Sequence, residues 1–129
     1  MTILIVDDDA DDLQFFSDAI AEIDSNVSCI TAYNGIEALQ ALEAANPRPD
    51  YIFLDLNMPR MGGKQCLRHI KKNPLFQSIP IIIYSTSRRP EDVEEVREAG
   101  ATAFIIKPNK FHLLRAEIAD ILKNKTFAG

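Results

Sequence analysis

Asp7 and Asp8 close one short apolar run, Asp55 closes another, and Ser85 and Lys107 stand at the ends of two more. Brought together, three carboxylates, a hydroxyl and an ammonium suit one kind of chemistry. Three carboxylates packed in one place cannot all stay ionised unaided, so either their pKa values rise or a cation sits among them. A hard divalent ion with oxygen ligands meets that need. Magnesium fits best, because it accepts few carboxylates, keeps several waters and bridges to phosphate oxygens. In that setting Asp55 is a nucleophile of the aspartyl-phosphate kind, attacking a phosphorus whose negative charge the metal and Lys107 screen.

The elements that must deliver these groups follow from hydrophobic patterning. Thr2 to Val6, Val27 to Thr31, Tyr51 to Leu54, Ile81 to Tyr84 and Ala103 to Ile106 read as strands. Between them, Leu13, Phe16, Ile20 and Ile23 recur at helical spacing, as do Ile36, Leu39 and Leu42, and then Cys66, Leu67 and Ile70. A fourth helix starts at Pro90, backed by Glu91 and Asp92, and stops at Gly100; a fifth carries Leu114, Ile118, Ile121 and Leu122 and runs to about Lys123. Five strands alternating with five helices imply right-handed crossovers, a parallel sheet and helices on both faces. The second strand ends in Ala32-Tyr33-Asn34 and brings nothing reactive, which suits a place outside the central strands. Strand order 2-1-3-4-5 satisfies this and puts the reversal of winding between the first and third strands, where ligand sites of open α/β sheets lie. Asp7, Asp8 and Asp55 are delivered there.

Composition sets the outer bounds. The 129 residues read as one domain, residues 1–129, with nothing appended to act as an output domain. A net charge of −5, with the basic residues scattered, argues against direct nucleic-acid binding. Met1 runs straight into a strand, without a secretory leader or a spanning-length apolar run, so the expected place is the cytoplasm and no membrane is involved. Cys29 and Cys66 have no metal-type spacing and read as two buried thiols.

The combined motifs resemble the receiver domain of bacterial two-component response regulators, of the stand-alone, chemotaxis-regulator-like type. They are Ile3-Leu4-Ile5-Val6-Asp7-Asp8, Phe53-Leu54-Asp55-Leu56-Asn57-Met58-Pro59 with Gly62-Gly63, Tyr84-Ser85-Thr86-Ser87, Gly100-Ala101 and Ile106-Lys107-Pro108. Each alone is weak, but in this order and on these element ends they are specific and cover essentially the whole chain. Asn73-Pro74-Leu75 and Ser85-Thr86-Ser87 further resemble the single-domain group that partners bacteriophytochrome and related sensor kinases.

The resemblance implies a flavodoxin-like doubly wound fold and a phosphorelay role. Asp55 would accept a phosphoryl group from a sensor histidine kinase or phosphotransfer protein. Mg²⁺ would be held by Asp8 and Asp55, by Asp7 directly or through water, and by the main-chain carbonyl of Asn57. Lys107 would pair with Asp55 and then with a phosphoryl oxygen, while Ser85 binds another; Lys107-Pro108 resembles the family's cis peptide, which would aim the lysine inward. Phe104, three residues before the lysine, matches the switch aromatic and would swing inward as Ser85 moves, shifting the face of the fourth helix, fifth strand and fifth helix. Output is then a protein-docking face, with Arg88, Arg89, Val93 and Val96 as contact residues, and the chain acts as a monomer or weak homodimer, catalysing only its own phosphorylation and dephosphorylation.

Plainer readings hold for several neighbours. Asp9, Asp11 and Asp12 read as an acidic helix start, and Thr86 and Ser87 as capping residues. Gly62 and Gly63 read as loop geometry, His69 and His112 as surface residues, and Phe111 as packing with a weak claim to an interface. A haloacid-dehalogenase-like phosphatase shares Asp7-x-Asp9, but its next motif position needs Thr or Val where this chain has Asp11, and its acidic pair after the lysine is replaced by Asn109-Lys110-Phe111. A flavin phosphate would meet repulsion from Asp7 to Asp12.

Overall fold

A computed structural model describes residues 1–124. Five strands, β1 Thr2–Val6, β2 Ser28–Ala32, β3 Tyr51–Leu54, β4 Ile81–Ser85 and β5 Ala103–Ile106, alternate with α1 Ala10–Ile23, α2 Gly35–Ala44, α3 Gly63–Lys72, α4 Pro90–Glu98 and α5 Phe111–Asn124. All neighbouring strands pair in parallel, in the order β2-β1-β3-β4-β5. The expected topology is therefore the one observed.

Because side chains alternate across a strand, the sheet has two cores. Leu4, Val6, Ile52, Leu54, Ile81 and Ile83 face one side, covered by Leu42 of α2, Leu67 and Ile70 of α3 and Val96 of α4. Ile3, Ile5, Phe53, Ile82, Tyr84 and Ile105 face the other, covered by Leu13, Phe16 and Ile20 of α1 and Leu114, Ile118 and Ile121 of α5. Phe16 is the keystone of the second core, with ring centroids 4.6 Å from Phe53 and 5.3 Å from Tyr84. None of the described helices is long and apolar enough to cross a membrane.

Two strands differ from expectation, β2 by one residue at each end and β4 by one at its end. Val27 spends its N–H on the Asp24 carbonyl in the preceding turn, and the pairing of β1 with β2 starts at Thr2 and Ser28 and ends at Val6 and Ala32. Ser85 belongs to β4, since it pairs with Ile106 and its carbonyl accepts the Lys107 N–H at 2.8 Å. The helix ends obey local rules. Asp9 caps α1 by accepting the N–H groups of Asp11 and Asp12, and Asn34 caps α2 by accepting that of Glu37. Gly100, at φ +104°, closes α4 with its N–H on the Arg97 carbonyl and that of Ala101 on Val96, the pairing that stops a helix with a left-handed residue.

Lys107–Pro108, whose isomer the sequence leaves open, is trans; the cis peptide among the described residues joins Asn46 to Pro47.

Gly63 does more than shape a loop. A β-carbon there would stand 2.1 Å from the Asp55 carbonyl oxygen and 2.7 Å from Leu56 Cα, so α3 starts in direct backbone contact with the end of β3. Its N–H also donates to the Leu56 carbonyl at 2.9 Å. Forcing atoms into so close a contact costs about 1–3 kcal/mol or more. Gly63→Ala is expected to lower stability by at least that much in urea unfolding, and Gly62→Ala, whose β-carbon would come no closer than 3.3 Å to the Leu56 carbonyl, by less. Equal stability of wild type and Gly63→Ala would show that α3 does not abut Asp55.

Candidate functional site

The ladder carries on past the strand ends and fixes where the reactive residues stand. Asp7 donates its N–H to the Ala32 carbonyl at 3.0 Å, and Asp55 donates its own to Val6 at 3.0 Å. Both acids therefore leave the sheet at one edge. Carboxylate oxygens of Asp7, Asp8 and Asp55 lie within 4.8 Å of one another, with Asp7 and Asp55 buried and Asp8 exposed. Asp7 accepts the Asp9 N–H, and Asp55 accepts that of Leu56, at 3.0 and 2.9 Å. Each buried acid thus spends one oxygen on a backbone donor and keeps the other for the cleft.

Lys107 supplies the opposing charge. Its Nζ is 2.6 Å from Asp7, 2.9 Å from Asp12 and 3.5 Å from Asp55. The expected pairing with Asp55 is present but is the longest of the three. Asp12, read from the sequence as an ordinary residue of a helix start, is a direct partner of the lysine. Helical geometry contained a signal for it, since Asp12 and Phe16 are four residues apart on one face of α1, the face that packs on the sheet beside Tyr84. Lys107 Nζ also lies 5.2 Å from the Tyr84 ring centroid, close enough for a cation–π contact.

Burial sets the electrostatics. Desolvation pushes the Asp55 carboxyl up to about 6; the Lys107 charge opposes the rise and the Asp7 charge adds to it. Asp7 is raised as well, by burial first, against the bonds it accepts from Lys107 and Asp9. Burial alone would depress Lys107, but the carboxylates of Asp12 and Asp7 outweigh it and raise the ammonium above its ordinary value. One lysine does not balance the acids around it. A divalent metal ion fits the remainder, because the donors are all hard carboxylate oxygens gathered at bonding spacing.

The other expected residues are placed as follows. Asn57 is exposed, two residues past Asp55. Ser85 is fully buried at the end of β4, and its hydroxyl accepts the Ser87 N–H at 3.2 Å. Thr86 is exposed, whereas Ser87 donates its hydroxyl to the Asp92 carboxylate in the first turn of α4. Arg89 stands at the N-cap of α4 and no side chain caps it, so the capping expected of Thr86 and Ser87 is not observed. Asp92 in turn is bound by Lys64 of α3 at 2.7 Å, a bridge not read from the sequence.

Several expectations need correction. Phe104 is 5% exposed, packs in the same core as Ile83 and Val96, and lines a cleft with Val93 and Ile121. Val96, proposed as a contact residue, is fully buried and holds α4 to the sheet; Val93 is the partly exposed one. Arg88 and Arg89 are exposed as expected. Phe111 packs edge-on against Phe15 at 5.4 Å, joining α5 to α1. Of the two thiols only Cys66 is fully buried, its pKa pushed up to about 12 by burial, and Cys29 is half-buried at the sheet edge.

Comparisons with known proteins show the family and the fold. The family model described as response regulator receiver domain matches residues 3–119. A probable cyclic di-GMP phosphodiesterase of Vibrio cholerae is 36% identical over 124 residues, 96% of this chain; the chain spans 27% of that protein's length. Response regulator Rcp1 of a Synechocystis species is 29% identical over 110 residues, 81% of this chain and 75% of that one. The crystal structure of the phosphorylated cyanobacterial phytochrome response regulator RcpA superposes with a TM-score of 0.86 at 28% identity, covering 95% of this chain and 91% of that one. A Mn²⁺-bound form of response regulator Rcp1 superposes with a TM-score of 0.81 at 28% identity, covering 95% and 92%.

The buried acid has a measurable cost. A carboxyl raised from 3.8 to about 6 favours the folded state fully below the lower value, and that advantage disappears as pH rises through about 6. In chelator-treated buffer at about pH 8, Asp55→Asn is therefore expected to be more stable than wild type by about 1–3 kcal/mol. Urea unfolding across pH checks this, and the gap should close towards about pH 4. A mutant less stable than wild type at high pH contradicts the reading of Asp55 as a buried, destabilising charge.

Proposed function

Since the chain belongs to the response regulator receiver family of two-component signalling, we propose that Asp55 is its phosphoacceptor, that Mg²⁺ is its cofactor, and that phosphorylation switches a protein-docking face. The donor in this reading is a sensor histidine kinase or phosphotransfer protein, and the recipient of the signal is a downstream protein. The observation that carries the proposal is the meeting of Asp7, Asp8 and Asp55 within 4.8 Å, with the Lys107 ammonium 3.5 Å from the Asp55 carboxylate.

Each residue then has a task its surroundings support. Asp7, Asp8, Asp55 and the Asn57 carbonyl would hold the ion, which when bound supplies positive charge to offset that of the incoming phosphoryl group. Asp55 supplies the attacking oxygen: its bond to phosphorus forms as the donor's phosphorus–nitrogen bond breaks. Lys107 remains protonated throughout, because the neighbouring carboxylates hold its pKa high, and offers N–H donors to a phosphoryl oxygen. Ser85, buried at the end of the adjacent strand, is the hydroxyl donor for another.

The response would appear on the face made by α4, β5 and α5. A cleft of about 390 Å³ opens there, lined by Val93, Phe104, Ile106, Glu117, Asp120 and Ile121 among others. Ser85 pairs with Ile106 in the sheet and Ile83 with Phe104, so the hydroxyl and the ring lie on neighbouring strands. A phosphoryl group brings about −1.5 to −2 charges, and drawing Ser85 towards it moves the strand end beside Phe104. Ser85 and Phe104 are thus the switch pair, with the ring shifting within the wall of the cleft. The phytochrome association of the relative RcpA suggests a light-sensing kinase as the donor class.

Incubation with Mg²⁺ and acetyl phosphate, read by intact mass, is the direct test. Wild type is expected to gain one phosphoryl group, and Asp55→Asn none. No gain by wild type would remove the proposal, and an equal gain by the mutant would move the acceptor to another residue.

A further inference from the structure

Asp12 stands outside every motif that marks the site, yet it is 2.9 Å from Lys107 Nζ, closer than Asp55 at 3.5 Å. An ammonium has three N–H donors. Two are committed at hydrogen-bond distance, to Asp7 at 2.6 Å and to Asp12, while Asp55 is left beyond normal hydrogen-bond reach. A phosphoryl group on Asp55 would add acceptor oxygens that compete for the same ammonium. The third donor can serve one phosphoryl oxygen, but Lys107 can move closer or serve a second only by loosening one of its two short bonds.

The two partners differ in what release would cost. The Asp7 side chain is 1% exposed and has no access to replacement water, whereas that of Asp12 is 36% exposed and can be rehydrated. Asp12 is therefore the partner that yields. We propose that Asp12 is a positioning residue that anchors Lys107 in the resting site and releases it when a phosphoryl group draws the ammonium closer. It thereby sets the threshold for the active state. This inference rests on Asp55 being the phosphoacceptor, and it concerns a residue that touches neither the phosphoryl group nor the ion.

Simple charge removal must be separated from loss of the anchor. Asp11 provides the control: it is exposed, it carries the same charge in the same first turn of α1, and the short bonds of Lys107 go elsewhere. The full chain at saturating Mg²⁺ is titrated with beryllofluoride, a phosphoryl mimic, and backbone amide NMR signals report the bound fraction. Asp12→Ala is expected to lower the midpoint about three- to tenfold, and Asp12→Glu, which keeps a carboxylate within reach, to stay within about twofold of wild type. Asp11→Asn is expected to shift it much less than Asp12→Ala does. The carbon–proton signal of the Lys107 ε-methylene supplies a readout that altered helix stability would not produce. In unliganded Asp12→Ala it should move towards its position in beryllofluoride-bound wild type.

A midpoint for Asp12→Ala that is unchanged, raised, or no lower than that of Asp11→Asn overturns the anchor, as does a Lys107 signal that stays in place. If wild type binds no beryllofluoride and takes up no phosphoryl group, the phosphoacceptor reading fails and the anchor fails with it. If wild type binds while the Asp12 variants titrate like it, only the anchor is lost.

Discussion

Two buried carboxylates cannot share one end of a sheet at low cost, and the position of a single ammonium decides how the rest of the site is arranged. Asp7 and Asp55 are driven together by backbone pairing, since each continues a ladder from a central strand. Neither can retreat into water. Lys107, from the end of β5, reaches across to both and is held by Asp12 on the way. Because burial raises both acids while the carboxylates raise the lysine, the site rests with its positive charge secured and its negative charge in excess. That imbalance is what equips it for a divalent ion and then for a group carrying its own negative charge.

Much of this was legible in the sequence because two periodicities and a chain direction suffice to place strand ends. Apolar runs of four or five residues alternating with amphipathic segments specify a parallel sheet, and a parallel sheet puts every strand's C-terminal residue on one edge. Asp7, Asp55, Ser85 and Lys107 could be brought together on that basis alone. The silence of β2 also carried information, since a strand that delivers nothing reactive fits the edge beside β1, where pairing puts it.

What could not be read depends on side-chain direction and on contacts between helices. Asp12 stands among several acids at a helix start, and its four-residue spacing from Phe16 sets it apart from exposed Asp11 only once α1 is known to pack beside Lys107. The same holds for Ser87, Asp92 and Lys64, which come from a loop, a fourth helix and a third one and meet only through tertiary packing. Phe104 was assigned by its offset from the lysine, an assignment that says nothing about rotamer. Its buried position follows from the strand's alternation, with Phe104 facing α4 and Ile105 facing α5.

The contacts around Ser87 bear on how the site can be sensed at a distance. Ser85 lies within the sheet and offers its oxygen to the Ser87 N–H; Ser87 in turn binds Asp92, and Asp92 binds Lys64. Lys64 also meets Glu95 at 3.2 Å, and Arg68 meets the same carboxylate at 2.6 Å, so α3 and α4 are joined along one flank. The outer pairs are exposed and contribute little to stability. Asp92 is different, being 7% exposed, with its carboxyl held below the usual range by the Lys64 bond first and the Ser87 bond second. A shift of the β4–α4 turn would loosen the Ser87 bond to this carboxylate in the first turn of α4, while Lys64 still holds it. Val93, one residue further along that helix, already lines the cleft shared with Phe104. Strand end, turn, helix and cleft are thus joined by hydrogen bonds and packing.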